Sequence, residues 1–537
     1  MSEHRTASQM GAKTNFGSAA QTFVPWRAFI KGQGATLIIG FALAVLVGLM
    51  VACYPSAIGI ALVTMATLVL MLARTKRIGI ETWQLITMVC LTGYVILNYG
   101  FENLSIPLGP LRYLPIGELF MGLALALAIL RHHGPVFRRA LQDPAVLCTL
   151  ALLLLTLCHL AVNIPDYGLY ALRDSTVSFE ALFLLLGLLW ANQERNIKLL
   201  TKWLMLLFTA TAVYSFTFPW AEQLQSWSLT SGPFHAVPLL GNYQDVAVYL
   251  LSGALFCIWV APSVSNWPRW FLGMLAIAQL SGLALVQSRT MYVGIALTLL
   301  LLAFLRETRR MSQFATTLGR ALGALVLIIV LLSAVGWNVQ GRLGPMDLAS
   351  LRKEVESIWP SSAESQELGH ESDRRAWYGE VWDKLQASPS NLLLGVGYGL
   401  PLIDFMSETG QPIRQPHNSS LNVFGRLGLV GLSIWLLFLW IVMKRLWAAV
   451  RQPRRTGVVS CPLCLWLLVF SVLGLLDSMV QPYFEFSHSA VPFFFLLGVG
   501  LGISQKQAIE RSTPARDQVS IILLGAAQRE GLRHSPW

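Results

Sequence analysis

Apolar runs of about 20 residues recur along this chain every 20 to 30 residues or so, and they constrain its fold more than any motif does. That is the length an α-helix needs to cross the hydrocarbon core of a bilayer. In lipid only a helix or a closed barrel satisfies its own backbone groups. Composition agrees, since 55% of the 537 residues are hydrophobic, 12% are charged and the mean hydropathy is +0.57. A soluble protein of this length would be far more polar. The expected fold class is all-α, a polytopic membrane protein with about 12–14 transmembrane helices and a large, partly helical outer loop. The spacing predicts helices near 35–53, 56–73, 83–99, 116–131, 144–163, 175–192, 199–218, 244–261, 269–287, 291–305, 319–337, 419–443, 461–480 and 489–504. The corresponding divisions are a disordered leader (1–34), a first helical bundle (35–337), the outer loop (338–416), C-terminal membrane helices (417–504) and a polar tail (505–537). The first apolar run is too long for a cleavable signal core, so it reads as an uncleaved helix.

Charge orients these helices. One set of short loops carries nineteen Lys and Arg residues, among them Arg138, Arg139, Arg309, Arg310, Lys444, Arg445 and Arg451. The alternate short loops carry three: Arg112, Arg173 and Arg289. By the positive-inside rule the first set is cytoplasmic, both termini are cytoplasmic, and 338–416 lies outside. The net charge of +11 then reflects cytoplasmic loops and attraction to anionic headgroups. No basic stripe interleaved with aromatics marks a nucleic-acid surface. The seven cysteines lie in or beside apolar runs, which argues against a disulfide framework. Cys461 and Cys464 have CxxC spacing but open a membrane helix without a second pair, and read as packing residues.

The outer loop has structure of its own. Residues 346–359 place Leu348, Leu351, Val355 and Ile358 at helical spacing. A second helix is expected over 371–387, with Trp377, Val381, Trp382 and Leu385 on one side and Ser388-Pro389 as its stop. Gly395, Gly397 and Gly399 then alternate, suiting a sharp bend or close approach to a ligand. The chemistry-bearing residues cluster around this loop. Arg289 stands at an outer helix end, where a charge usually meets a partner or ligand; the simpler reading is an arginine reaching for headgroups. Arg173 is similar. Arg374 and Arg375 open the second loop helix and could grip phosphate oxygens in two-point fashion. By spacing alone they read equally as a solvated pair balancing Glu371 and Asp373. His417, after Pro416, can take a proton near neutral pH or cap the helix beginning beside it. Glu118, Glu180 and Asp477 are acids in or beside spans, functional candidates or interhelical partners. His159 and His235 are weaker. No metal-ligating cluster appears, so neither metal nor cofactor is expected.

Taken in order, these elements resemble the O-antigen ligase and O-antigen polymerase superfamily of bacterial membrane proteins. The resemblance rests on Ser288-Arg289 at an outer helix end, a long outer loop, Arg374 or Arg375 heading an aromatic-rich helix, the segment Leu394 to Gly399, and His417-Asn418 ahead of a helix containing Gly425 to Gly431. It covers roughly 230–445. It implies a multi-pass protein of the bacterial inner membrane that moves a glycan from undecaprenyl diphosphate to a sugar or to lipid A–core, with the outer loop in the periplasm. Arg289, Arg374, Arg375 and Arg173 would bind the diphosphate. His417 would be the base, and Asn418, Gly397 and Tyr398 would contact substrate. Membrane lipids and components of a polysaccharide export system are the other implied partners. The expected reaction is an inverting displacement without metal. Ligation and polymerisation stay unseparated, and a flippase for lipid-linked sugars is the alternative from another class.

Overall fold

The computed structural model describes residues 80–105, 115–132, 134–232, 237–241, 246–334, 340–341, 344–345, 370–406, 412–451 and 460–512. The expected helices at 35–53, 56–73 and 346–359, together with His235, lie outside the described residues. The chain divides into Met1–Ile80 and Glu81–Trp537, and the described helices belong to the second unit.

From residue 83 onward the expected spans are helical over their described residues, except that the one at 175–192 is interrupted. The helices are α1 (Thr82–Thr92, continuing as a π turn over Gly93–Leu97), α2 (Ile116–Arg131), α3 (Pro144–Tyr167), α4 (Leu169–Asp174), α5 (Phe183–Trp190), α6 (Glu194–Ser215) and α7 (Val246–Trp259). They continue as α8 (Arg269–Val286), α9 (Arg289–Phe304), α10 (Thr308–Ala334), α11 (His370–Gln386), α12 (Pro389–Leu394), α13 (Ser419–Arg451), α14 (Ser460–Ser478) and α15 (Ser487–Ser512). Among the described residues α3, α6, α8, α10, α13 and α15 are long and apolar enough to cross a membrane, and shorter apolar helices accompany them. The architecture is an all-α polytopic membrane protein. Strands among the described residues are two-residue pairs, such as Phe405–Met406 against Pro412–Ile413 in the outer loop.

Helix α15 is the axis of the bundle, with Phe493, Phe494, Phe495 and Val499 fully buried. It meets α5 backbone to backbone: a Cβ on Gly187 would stand 2.0 Å from the Phe495 carbonyl oxygen, and one on Gly498 2.0 Å from that of Leu184. Small residues permit such approach where lipid gives helices no hydrophobic reason to associate. The outer faces are the reverse, with Leu154, Val162, Leu300, Phe304 and Trp440 exposed on helix sides that a bilayer would cover. The expected helix at 175–192 is broken, into Thr176–Glu180 and α5.

Polar ties fix the ends of the bundle. Asp143 caps α3 by accepting from the Ala145 N–H at 2.8 Å, and it also bonds Arg445 near the end of α13 and Gln505 near the end of α15. The cation-bearing segments around Arg139 and Arg445 therefore share one end. The opposite end gathers the end of α3, the start of α13 and the α14–α15 turn, and there the outer-loop elements rest. Trp377, Val381 and Leu385, four residues apart on α11, form a small core with Leu402 and Ile403. Trp382 was expected on that side, but it is 48% exposed. One residue on from Val381, it points about 100° around the helix from the buried row.

Candidate functional site

The turn between α14 and α15, residues 479–486, is tight. The Val480 and Gln481 N–H groups both donate to the Asp477 carbonyl, at 3.0 and 2.9 Å. Four residues from other elements close on this turn. Arg374 donates through Nη2 to the Val480 carbonyl at 3.4 Å. Asn418 donates through Nδ2 to the Met479 carbonyl at 3.2 Å. Ser419 donates to the Glu485 carboxylate at 2.6 Å, and Asn422 does so at 2.8 Å. Burial pushes the Glu485 carboxyl above its usual range, against these two donors, which pull it down.

His417 stands immediately before this assembly. Asn418 caps α13, its Oδ1 accepting from the Leu421 N–H at 2.9 Å. To enter the helix from Pro416, the chain passes through His417 in the left-handed region, at φ 48°. A non-glycine residue there is uncommon and costs on the order of 1–3 kcal/mol, and such strain gathers at functional sites. The half-buried imidazole meets the Trp377 ring edge-on, with centroids 5.1 Å apart. Trp377 is one helical turn from Arg374, so α11 presents the arginine and the wall of the histidine together. Arg289 opens α9, after Gln287 has ended α8 in a left-handed turn at φ 54°. Five residues on, Gly294 packs against Leu473 and Leu476, in the last turns of α14 before the 479–486 turn.

A second constellation holds the glycine segment. Helix α13 breaks at Gly428, at φ 63° and ψ −162°. The carbonyls of Gly425 and Arg426, released by that break, accept from the N–H groups of Val396 and Gly397 at 2.9 and 3.1 Å. Arg426 is fully buried and pairs with buried Asp174 at 2.8 Å. Its Nη1 donates to the carbonyls of Gly397 and Leu400, at 3.1 and 2.5 Å. Asp174 also accepts from the Gly399 N–H at 3.2 Å, and Arg414 at 3.4 Å completes the set. The glycines approach protein closely here. A Cβ on Gly397 would stand 2.3 Å from Asn163 Oδ1, and one on Gly399 2.2 Å from the Tyr167 Cβ. Tyr398 is buried, its hydroxyl 2.9 Å from Thr156 Oγ1.

Residues 272–436 match the family model described as O-antigen ligase. No curated protein matches the chain significantly. The O-antigen ligase stretch runs from within α8 into α13 and contains Arg289, Arg374, His417 and Arg426. Asp174 and the 479–486 turn lie outside it, so elements beyond the matched stretch complete both constellations.

Of the residues singled out from sequence, Arg374 and Asn418 bond the 479–486 turn, His417 directly precedes Asn418 and meets Trp377, and Arg289 opens a helix packed against α14. Gly397 and Tyr398 instead face α3 and Asp174. Arg173 and Arg375 are exposed. Glu118 makes an interhelical bond, accepting from Ser487 at 2.6 Å, while Glu180 and Asp477 are buried. His159 lies edge-on to Tyr398. The sequence reading missed Asp174, Arg414, Arg426 and Glu485. Arg426 and Glu485 did carry a signal, being charged residues within or beside apolar runs. Among the described residues no group of three or more His, Cys, Asp or Glu side chains could hold a metal ion.

Proposed function

We propose that this protein is a membrane glycan transferase that moves a glycan from an undecaprenyl-diphosphate carrier to a hydroxyl of a sugar acceptor at the outer face of the bacterial inner membrane. The observation that carries the reading is that one helix, α11, gives Arg374 to the 479–486 turn and, one helical turn on, Trp377 to the His417 ring. A guanidinium and an imidazole held by the same helix are what such a transfer requires. The anomeric carbon–oxygen bond to the diphosphate breaks, leaving a new negative charge on the carrier. The acceptor oxygen attacks from the opposite face, so the configuration inverts. Its proton passes to His417. Arg374 and Arg289 stabilise the departing diphosphate, a forked cation being matched to phosphate oxygens. Their charge does the work that a metal does in other transferases. The α11–α12 cap, with its own core, excludes water and so favours transfer over hydrolysis. Both termini are cytoplasmic on this reading, and the acceptor is a growing glycan or lipid A–core.

The test uses purified protein in liposomes whose outer leaflet already holds lipid-linked glycan. A transferase given acceptor releases undecaprenyl diphosphate and lengthens the acceptor; a flippase does neither. His417→Gln keeps hydrogen bonding but cannot take the proton, so its transfer rate should fall by about 10²–10⁴-fold. Wild-type turnover in that variant would remove the base from the mechanism.

A further inference from the structure

Glu485 belongs to no sequence motif, lies outside the O-antigen ligase stretch and takes no direct part in the transfer chemistry. It nevertheless anchors the start of α13 from below. It is 8% exposed, and both carboxylate oxygens are engaged, Oε2 by Ser419 at 2.6 Å and Oε1 by Asn422 at 2.8 Å. Ser419 Oγ in turn accepts from the Phe484 N–H at 3.2 Å, so helix and turn are stapled in both directions. The Glu485 carbonyl accepts from Thr176 at 3.3 Å, which ties the turn to the broken helix on the far side. A carboxylate also suits the first turn of the 33-residue α13, where the helix dipole favours negative charge.

The consequence concerns His417. The imidazole sits two residues before Ser419, on backbone in the left-handed region, and such a conformation persists only where its surroundings hold it. Pro416 constrains the chain before it; after it, Asn418, Ser419 and Asn422 are all bonded to the 479–485 turn, two of them to Glu485 itself. The same turn accepts Arg374. The turn is therefore the shared support that sets the histidine's helix start and the arginine in one register, and losing a tie on the histidine's side frees it relative to the arginine. We propose that Glu485 is a positioning residue of the transfer reaction: through Ser419 and Asn422 it fixes the place from which His417 takes the acceptor proton. This rests on His417 being the base.

Full-length protein in liposomes provides the test, with outer-leaflet undecaprenyl-diphosphate glycan and a soluble sugar acceptor. Misplacing a reacting group by about 1 Å costs on the order of 10²-fold in rate. Glu485→Ala should therefore lower kcat by about that factor and leave the KM for donor within a few-fold. Glu485→Gln, which still accepts from Asn422 and still meets Ser419, should recover most of the loss. The deciding comparison is a cycle with His417→Ala, followed over hours by radiolabelled product. A residue acting through the histidine adds little once the histidine is gone, so the double variant should match His417→Ala. Multiplicative losses would overturn the proposal, as would wild-type kcat in Glu485→Ala. Full activity in His417→Ala alone would instead refute the base, and with it the reading this rests on. If Glu485→Ala does not fold, Ser419→Ala and Asn422→Ala, each removing one bond, go through the same cycle with smaller losses of the same pattern; unchanged kcat in both would equally overturn it.

Discussion

Replacing Arg426 by alanine should unfasten the glycine segment from the bundle, and its partners set the size of the effect. The side chains of Arg426 and Asp174 are each 1% exposed, so water compensates neither. The substitution removes the 2.8 Å ion-pair bond and strips the Gly397 and Leu400 carbonyls of their guanidinium donor. Removing one partner of a buried pair costs about 3–5 kcal/mol, because the survivor is left charged and unpaired. Asp174 retains the Gly399 N–H and the more distant Arg414, which places the expectation near the lower end, about 3 kcal/mol. At about 1.4 kcal/mol per decade, that is roughly a hundredfold rise in the open population of the segment. Limited proteolysis of detergent-solubilised protein reads this directly, since cleavage tracks the open fraction when opening is fast. Cuts within 395–414 should accelerate by about that factor. Combining Arg426→Met with Asp174→Asn should cost less than the sum of the single changes, since replacing both partners leaves no orphaned charge. Wild-type resistance in Arg426→Ala, or strictly additive effects in the pair, would refute the clasp.

Arg289→Lys should lower transfer nearly as much as Arg289→Ala, because an ammonium lacks the planar fork; steady-state rates at saturating donor check this. Gly187→Val should lower the melting temperature of the purified protein, since its Cβ would stand 2.0 Å from a backbone carbonyl; an overpacked contact costs about 1–3 kcal/mol. Burial raises the Glu485 pKa above 4.5 in the folded protein, against the hydrogen bonds from Ser419 and Asn422 that pull it down. A carboxyl whose folded value is the higher one binds its proton more tightly when folded, so its contribution to stability falls as pH rises from 4.5 through that raised value. The melting temperature of wild type minus that of Glu485→Gln should accordingly decrease over that rise. Reporter fusions after residues 140, 198, 312 and 452 should read cytoplasmic and a fusion near 400 external; a cytoplasmic signal at 400 would detach the loop from an outer-leaflet donor.

The membrane helices were legible because apolar length is a local property. Every residue of α3 or α13 contributes to it, and no partner need be known. The broken helix at 175–192 was not legible, because its breaks come from what it packs against. Thr176 bonds the α14–α15 turn, and the Gly187 backbone lies on α15, more than 300 residues away. Alternation of Gly395, Gly397 and Gly399 signalled backbone of unusual conformation, and all three have positive φ. The glycines could not disclose what approaches them. In the fold Asn163, Tyr167 and the freed carbonyls of α13 stand there.

The two constellations also explain why the site was only half visible. Arg289, Arg374 and His417 were conspicuous as polar residues at boundaries of apolar chain. What holds Arg374 and the chain around His417 in place is pairs far apart in sequence: Asp174 with Arg426 at a separation of 252, Ser419 with Glu485 at 66, and Arg374 with Val480 at 106. No periodicity links such residues. An acid deep in a membrane protein is costly and tends to face the bundle interior with a partner, so Asp174 and Glu485 could have been flagged as charges needing partners, though not matched to them. Once matched, they bear on opposite ends of one helical segment. Glu485 holds α13 at Ser419 and Asn422, and Asp174 holds it at Arg426, two residues before the break at Gly428. The two turns between these anchors are pinned at both ends, and His417 projects from the first. On the proposed reading the base stands at the head of this short, doubly fixed segment, and keeps its place while the apolar remainder of α13 meets lipid.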